Sequence, residues 1–203
     1  MRLFYKPGAC SLASHIVLHQ LGIPFDIERV DTAKGRTETG RTFRDISANG
    51  YVPALELTSG DVLTEGAAIL QYLADQHPEQ RLVPTAGTLS RARVQEHLNF
   101  ISSELHKAFS PLFSTQATDG DKARAVENVA RRLDYIETIL GDGRNYLVED
   151  RFSVADAYLF VVCNWANVVG IDLAAWPHVQ AFVARIAALP SAQAAMKAEG
   201  LIR

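Results

Sequence analysis

The chain has 203 residues, 48% hydrophobic and 21% charged, with a formal net charge of −3. That length suits one large domain or two small ones, and the charge argues against a general nucleic-acid surface. No run of about 18 apolar residues occurs, so no membrane span is expected, and the start lacks the apolar stretch of a secretory signal.

In chain order, "RLFY" (2–5) is predicted as a strand bounded by Pro7-Gly8. Residues 11–20 are predicted as a helix with Leu12, Ile16 and Val17 on one side; Leu21 extends it, and Gly22 and Pro24 end it. "FDIERV" (25–30) alternates, placing Phe25, Ile27 and Arg29 on one face of a strand. Residues 31–50 are polar and loop-like with some helical character. Segments 54–57 and 61–63 read as a hairpin around Ser59-Gly60, and 67–74 as a helix that buries Ile69, Leu70 and Leu73. A strand-helix-strand start with a late hairpin implies a mixed sheet carrying helices.

"HPEQRLVPTAGT" (77–88), with two prolines and a glycine, is the best linker. Beyond it, 89–109, 121–140, 153–169 and 177–189 read as helices; Pro111 interrupts the first, and Gly141 and Gly143 end the second. The sequence therefore divides into an α/β part and an all-helical part.

Two cysteines, Cys10 and Cys163, lie far apart and form no framework of spaced pairs, which suits a reducing cytoplasm. Cys10 stands just before the first helix. Unpaired N–H groups and the helix dipole favour a thiolate there; the competing reading is a small buried hydrophobe. Cys163, in "LFVVCNW", reads as core.

"YVPAL" carries a Val-Pro bond leading into a strand. A cis bond would turn the Val52 backbone outward to pair with an extended peptide; the alternative is an ordinary edge-strand proline. "LTEGAAI" opens a helix at Glu65-Gly66. There a glycine lets a ligand approach the backbone, its N–H can receive a carboxylate, and Glu65 can meet an amine; the alternative is a plain acidic first turn. On the helix after the linker, Asn99, Ser103 and His106 fall within about 60° of one another at about 100° per residue, with Gln95 extending the line and Lys107 following as a basic end. Such a stripe is either a solvated face or the wall of a polar site. His15 and His19, four residues apart, have a spacing that can hold a metal, but nothing nearby supplies further ligands, so no metal is expected. Ser153 and Asp156 in "RFSVADAYLF" form a capping box that starts a core helix, with Phe152 as its staple.

The order of these signals is specific. "YKPGACSLASHIVL", "TEGAAILQYLAD", "LNFISSELHKAFSPLF" and "FSVADAYLF" resemble the cytosolic glutathione transferases, and among them the bacterial beta class, over nearly the whole chain. The resemblance implies a thioredoxin-like domain (1–80), a linker (81–87) and an all-helical domain (88–203). It implies glutathione as co-substrate, no metal, and a homodimer working in the cytoplasm. Cys10 would lie by the glutathione sulfur and form a mixed disulfide with it. Val52, before cis Pro53, would pair with the cysteinyl backbone, and Glu65 and Gly66 would hold the γ-glutamyl group. Asn99, Ser103, Glu104 and His106 would come from the long helix, with His106 close to the sulfur and some contacts reaching the partner subunit's ligand. An apolar electrophile would bind between the domains.

One position departs from the class. A lysine usual at position 35 is Gly35 here, flanked by Lys34 and Arg36. Tyr5 and Ser11, where other classes place an activating hydroxyl, are secondary beside Cys10. "CSLA" (10–13) lacks a second cysteine, so any redox cycle would be monothiol. The implied activity is conjugation of glutathione to electrophiles, with peroxidase or disulfide-reductase chemistry through Cys10. A non-catalytic carrier of apolar ligands is the rival from another class.

Overall fold

The chain was analysed as a computed structural model, which describes residues 1–203. β1 (Arg2–Tyr5) is the middle strand of a five-stranded sheet of order β3-β2-β1-β4-β5. It runs parallel to β2 (Asp26–Asp31), and α1 (Ser11–Leu21) supplies the crossover that a parallel pair needs. β4 (Ala54–Glu56) is antiparallel to β1, and β5 (Val62–Thr64) is antiparallel to β4. α2 (Gly66–Asp75) follows and buries Ile69, Leu70 and Leu73 as the pattern predicts. Gly22 caps α1 at φ 66°, a left-handed backbone that only glycine adopts without strain.

The polar stretch 31–50 holds more structure than its composition suggests. β3 (Arg36–Thr37) pairs with β2, and a short 3₁₀ turn (Phe43–Asp45) lays Phe43 against Phe4, Val30 and Ala54. Phe43 thereby covers the Val30 side of β2, whereas Arg29 on the predicted face is exposed. Beside the predicted face of Phe25 and Ile27, its alternate residues Glu28 and Val30 are the more deeply buried. Glu28 is only 2% exposed because it is fully engaged. It accepts hydrogen bonds from Arg2 (3.2 Å) and Thr39 (2.5 Å), and Arg41 lies 4.0 Å away. Burial opposes its charge, but the threonine hydroxyls and arginines outweigh that and hold the carboxyl below its ordinary range.

The second helical set comprises α3 (Leu89–Phe100), α4 (His106–Phe109), α5 (Asp119–Leu140), α6 (Val154–Val169) and α7 (Pro177–Ala187). The helix predicted over 89–109 is not uniform. Ile101–Leu105 is a π-helical turn, closed by the His106 N–H on the Ile101 carbonyl. A further helix, α8 (Pro190–Ala198), follows the four helical segments picked out in the sequence.

The chain forms two compact units, Met1–Val83 with Ala188–Arg203, and Pro84–Ala187. The sequence put all of 88–203 in the helical domain, whereas its last residues group with the α/β unit. α8 packs on α1, and the buried Glu199 bonds His15 at 2.9 Å, a pairing 184 residues apart that local patterning does not announce.

α6 starts as predicted. Asp156 accepts the Ser153 N–H (2.8 Å) and Oγ–H (2.7 Å), and also the Leu147 N–H (2.8 Å). Burial pushes its carboxyl up to about 6, even though these donors favour the anion. Replacing it with Ala strands two buried N–H groups, each costing about 1–3 kcal/mol. Asp156→Ala is therefore expected to lower the unfolding free energy by about 2–5 kcal/mol in urea titrations; a loss well under about 1 kcal/mol would show the box to be dispensable.

Candidate functional site

The sheet pairing decides which loops meet. Phe4 pairs with Ala54 in antiparallel register, and Ala54 pairs with Thr64. The end of β1, the start of β4 and the end of β5 thus lie at one edge of the sheet. The loops beyond them carry Cys10, Val52-Pro53 and Glu65-Gly66.

Cys10 occupies the N-cap position of α1 and is half-buried, its sulfur in no disulfide. Its Sγ donates to the Val52 carbonyl at 3.4 Å. The Val52–Pro53 bond is cis, and the Val52 N–H donates to no acceptor within the chain. Gly66 lies against Pro53: a Cβ built on it would sit 3.7 Å from Pro53 Cγ, an ordinary contact. The fold itself therefore does not demand a glycine at 66.

Glu65 is exposed, and its carboxylate has no hydrogen bond or ion pair in the chain. Its backbone is at φ 67°, ψ 112°, a conformation that L residues avoid at a cost of about 1–3 kcal/mol. Its carbonyl accepts the Ala68 and Ile69 N–H groups, so the Gly66 and Ala67 N–H groups precede the first helical bond. Glu65 thus combines a strained backbone with an exposed carboxylate that no group of the chain pairs.

Other nearby hydroxyls serve the fold. Ser11 is fully buried; its Oγ donates to the Lys6 carbonyl (3.3 Å) and accepts the Lys6 N–H (3.2 Å), clamping the Cys10 loop. Burial, and then the Glu199 carboxylate, push the Tyr5 hydroxyl up, away from ionisation. Gly35 turns the chain at φ 63°, a backbone that disfavours a lysine. Its neighbours are engaged locally, Lys34 with Asp31 (3.2 Å) and Arg36 with the Gly40 carbonyl (2.9 Å).

In the second unit the π turn rearranges the predicted stripe. Asn99 and Ser103 are exposed, and the Asn99 carbonyl accepts Ser103 Oγ at 2.8 Å. Glu104 turns toward α5 and pairs with Arg132 at 2.8 Å. His106 turns toward α6 instead. Its Nδ1 meets Tyr158 Oη at 3.0 Å, and its ring stands edge-on to Trp165, 4.7 Å between centroids. Burial, then the Lys107 charge, push the His106 imidazole down to about 4, so it is neutral at pH 7. Phe109 and Phe113 also pack edge-on to Trp165, backing the indole that faces the imidazole. Tyr158 and Trp165 were missed in the sequence, although their spacing of seven puts both on one face of α6. Cys163 is wholly buried among apolar side chains.

The α/β unit carries a thiol at the start of its first helix, and residues 84–187 form a separate all-α unit. The glutathione S-transferase N-terminal domain family matches residues 8–76, and the C-terminal domain family matches residues 100–190. The chain is 44% identical to the glutathione S-transferase GstA of Escherichia coli O157:H7, covering 99% of this chain and 100% of that one. Among solved structures it is similar to the bacterial beta class glutathione S-transferase of Sphingomonas chungbukensis (48% identity, TM-score 0.96, both chains covered in full). It is also similar to a sphingomonad glutathione S-transferase complexed with glutathione (47% identity, TM-score 0.95, both chains covered in full). The chain belongs to the glutathione S-transferase family, a family of enzymes.

The His106 shift has a sign that can be tested. Its folded value, about 4, lies below the unfolded 6.5, so the folded state resists protonation. Stability is undiminished above pH 6.5 and falls as pH drops toward 4, by up to about 3 kcal/mol from this group. Asp156, raised to about 6, acts oppositely over the same window, gaining stability as pH falls. Chemical denaturation of wild type and His106→Gln from pH 7 to 4 is therefore expected to show a difference that closes toward acid; a constant difference would contradict a neutral buried imidazole.

Proposed function

We propose that this chain conjugates glutathione to electrophilic small molecules through a site built around Cys10 and Glu65-Gly66. The observation that carries this reading is the convergence at one sheet edge of a half-buried thiol, an unengaged Val52 N–H and a strained, unpartnered Glu65. An extended tripeptide fits these groups: its cysteinyl backbone pairs with Val52, its γ-glutamyl ammonium meets Glu65, and its γ-glutamyl carboxylate receives the Gly66 N–H. That pairing puts the tripeptide sulfur beside Cys10. From the second unit the reading takes Asn99, Ser103 and Glu104 as further glutathione contacts, and His106 as the neutral imidazole that steadies the sulfur. These four roles rest on the resemblance and the residues' chemistry.

In the reaction the glutathione thiolate attacks the electrophilic carbon, a carbon–sulfur bond forms, and the leaving group departs with its electron pair. The electrophile is read as small and apolar. The protein is read as a homodimer of the cytoplasm, where its two free thiols stay reduced.

A second reading is favoured by the accessible Cys10 with Ala13 where a second cysteine would close a ring. The Cys10 thiolate would attack the glutathionyl sulfur of a mixed disulfide, expelling the other partner's thiolate and becoming S-glutathionylated. A glutathione thiolate would then attack that sulfur, forming glutathione disulfide and releasing the Cys10 thiolate, which completes a monothiol reductase cycle.

Glutathione binding by calorimetry, with turnover of aryl halides and of a mixed disulfide, tests both. Glu65→Gly is expected to weaken glutathione binding about tenfold or more while holding or raising thermal stability, because it relieves the backbone strain. Cys10→Ala is expected to abolish disulfide reduction and slow conjugation. Tight binding by Glu65→Gly, or no turnover of any electrophile by wild type, would contradict the proposal.

A further inference from the structure

Glu199 has a buried carboxylate with both oxygens committed within the α/β unit. Its side chain is 0% exposed. Oε1 meets His15 Nδ1 at 2.9 Å, and His15 is itself 1% exposed on α1. Oε2 accepts the Gly8 N–H, also at 2.9 Å. Gly8 sits two residues before Cys10, at φ 71°, in the loop between β1 and α1. Leu201 backs the same residue: a Cβ on Gly8 would come 3.5 Å from its Cδ2.

Burying a carboxylate is costly unless it is paired and hydrogen-bonded, and here it is both. A fold that needed only to dock α8 could do so with apolar side chains of similar volume, often at no loss of stability. What apolar side chains could not supply is an acceptor for the Gly8 N–H. The Cys10 loop is thus held from two sides. Ser11 clamps Lys6 from within α1, and Glu199 clamps Gly8 from the C-terminal segment while His15 fixes the carboxylate.

We propose that Glu199, oriented by His15, is a positioning residue for Cys10, setting through Gly8 where the thiol stands at the start of α1. The effect on turnover rests on the functional reading above; the effect on the thiol does not. Small displacements remote from the chemistry cost rate out of proportion to their size, and a thiol moved off the helix terminus loses the N–H groups that favour its anion.

The test uses the full chain with three substitutions at these positions. Glu199→Met fills the space and removes the acceptor. Glu199→Gln can keep both bonds, its amide oxygen accepting the Gly8 N–H and its amide nitrogen donating to His15 Nδ1. The double variant His15→Leu with Glu199→Met removes both polar groups, so that an unpaired histidine does not unfold the protein. Iodoacetamide alkylation of Cys10, followed by peptide mass at pH 7, reads the thiol without glutathione; Cys163 is buried and silent. The foldable Met variant, single or double, is expected to alkylate about tenfold more slowly than wild type, with Glu199→Gln restoring most of the rate. In turnover, kcat is expected to fall about tenfold or more while KM for glutathione stays within about twofold. Alkylation and kcat at wild-type levels in a folded Met variant, even one with a lowered melting temperature, would overturn the proposal and leave Glu199 a fold staple. Absent turnover in wild type would sink the functional reading alone, and the alkylation rates would still decide this one.

Discussion

The pairing of β4 with both β1 and β5 is the constraint on which the candidate site depends. Because Phe4, Ala54 and Thr64 align across three strands, the loops after β1, before β4 and after β5 open at the same edge. A slip of one residue in either pair would send alternate side chains to the opposite face and draw Val52 away from Cys10. The 3.4 Å contact between Cys10 Sγ and the Val52 carbonyl records that register at the site itself. Phe43, packed on Phe4 and Ala54, and the buried Glu28 hold the outer face of the same strands.

Two sets of polar groups contrast near the strands and helix starts, and the contrast is informative because most buried polar groups in folded proteins are satisfied. Ser11, Glu28, Asp156 and Glu199 are buried and have their partners inside the fold. The Val52 N–H and the Glu65 carboxylate have none, and Glu65 is also held in a backbone state that its own side chain disfavours. Backbone strain beside an exposed, unpaired side chain is a pattern that ligand clamps share. His106 belongs between the sets, one ring nitrogen engaged by Tyr158 and the ring desolvated among aromatics.

Much of this was legible in the sequence wherever the signal was local. Gly22 ending α1, the Ser153–Asp156 box and the buried face of α2 depend on residues within one or two turns. The neighbourhood of Cys10, Val52 and Glu65 was legible only through the family resemblance, since register is a property of pairs distant in sequence. Three features escaped. No local pattern marks Glu28 as buried, because its partners, Arg2, Thr39 and Arg41, are scattered along the chain. The polar stripe from Asn99 to His106 assumed an even helix, and one π turn sends Glu104 to α5 and His106 to α6. The docking of α8 rests on Glu199 meeting His15 and Gly8, contacts with no sequence periodicity.

The central claim is that Val52 and Gly66 form the backbone grip on glutathione beside Cys10. Amide chemical shifts and hydrogen exchange during a glutathione titration test it most directly. The account predicts that the Val52 and Gly66 amides shift together in a saturable way and that the Val52 amide becomes protected from exchange. Saturable binding that left both amides unmoved and unprotected would contradict it.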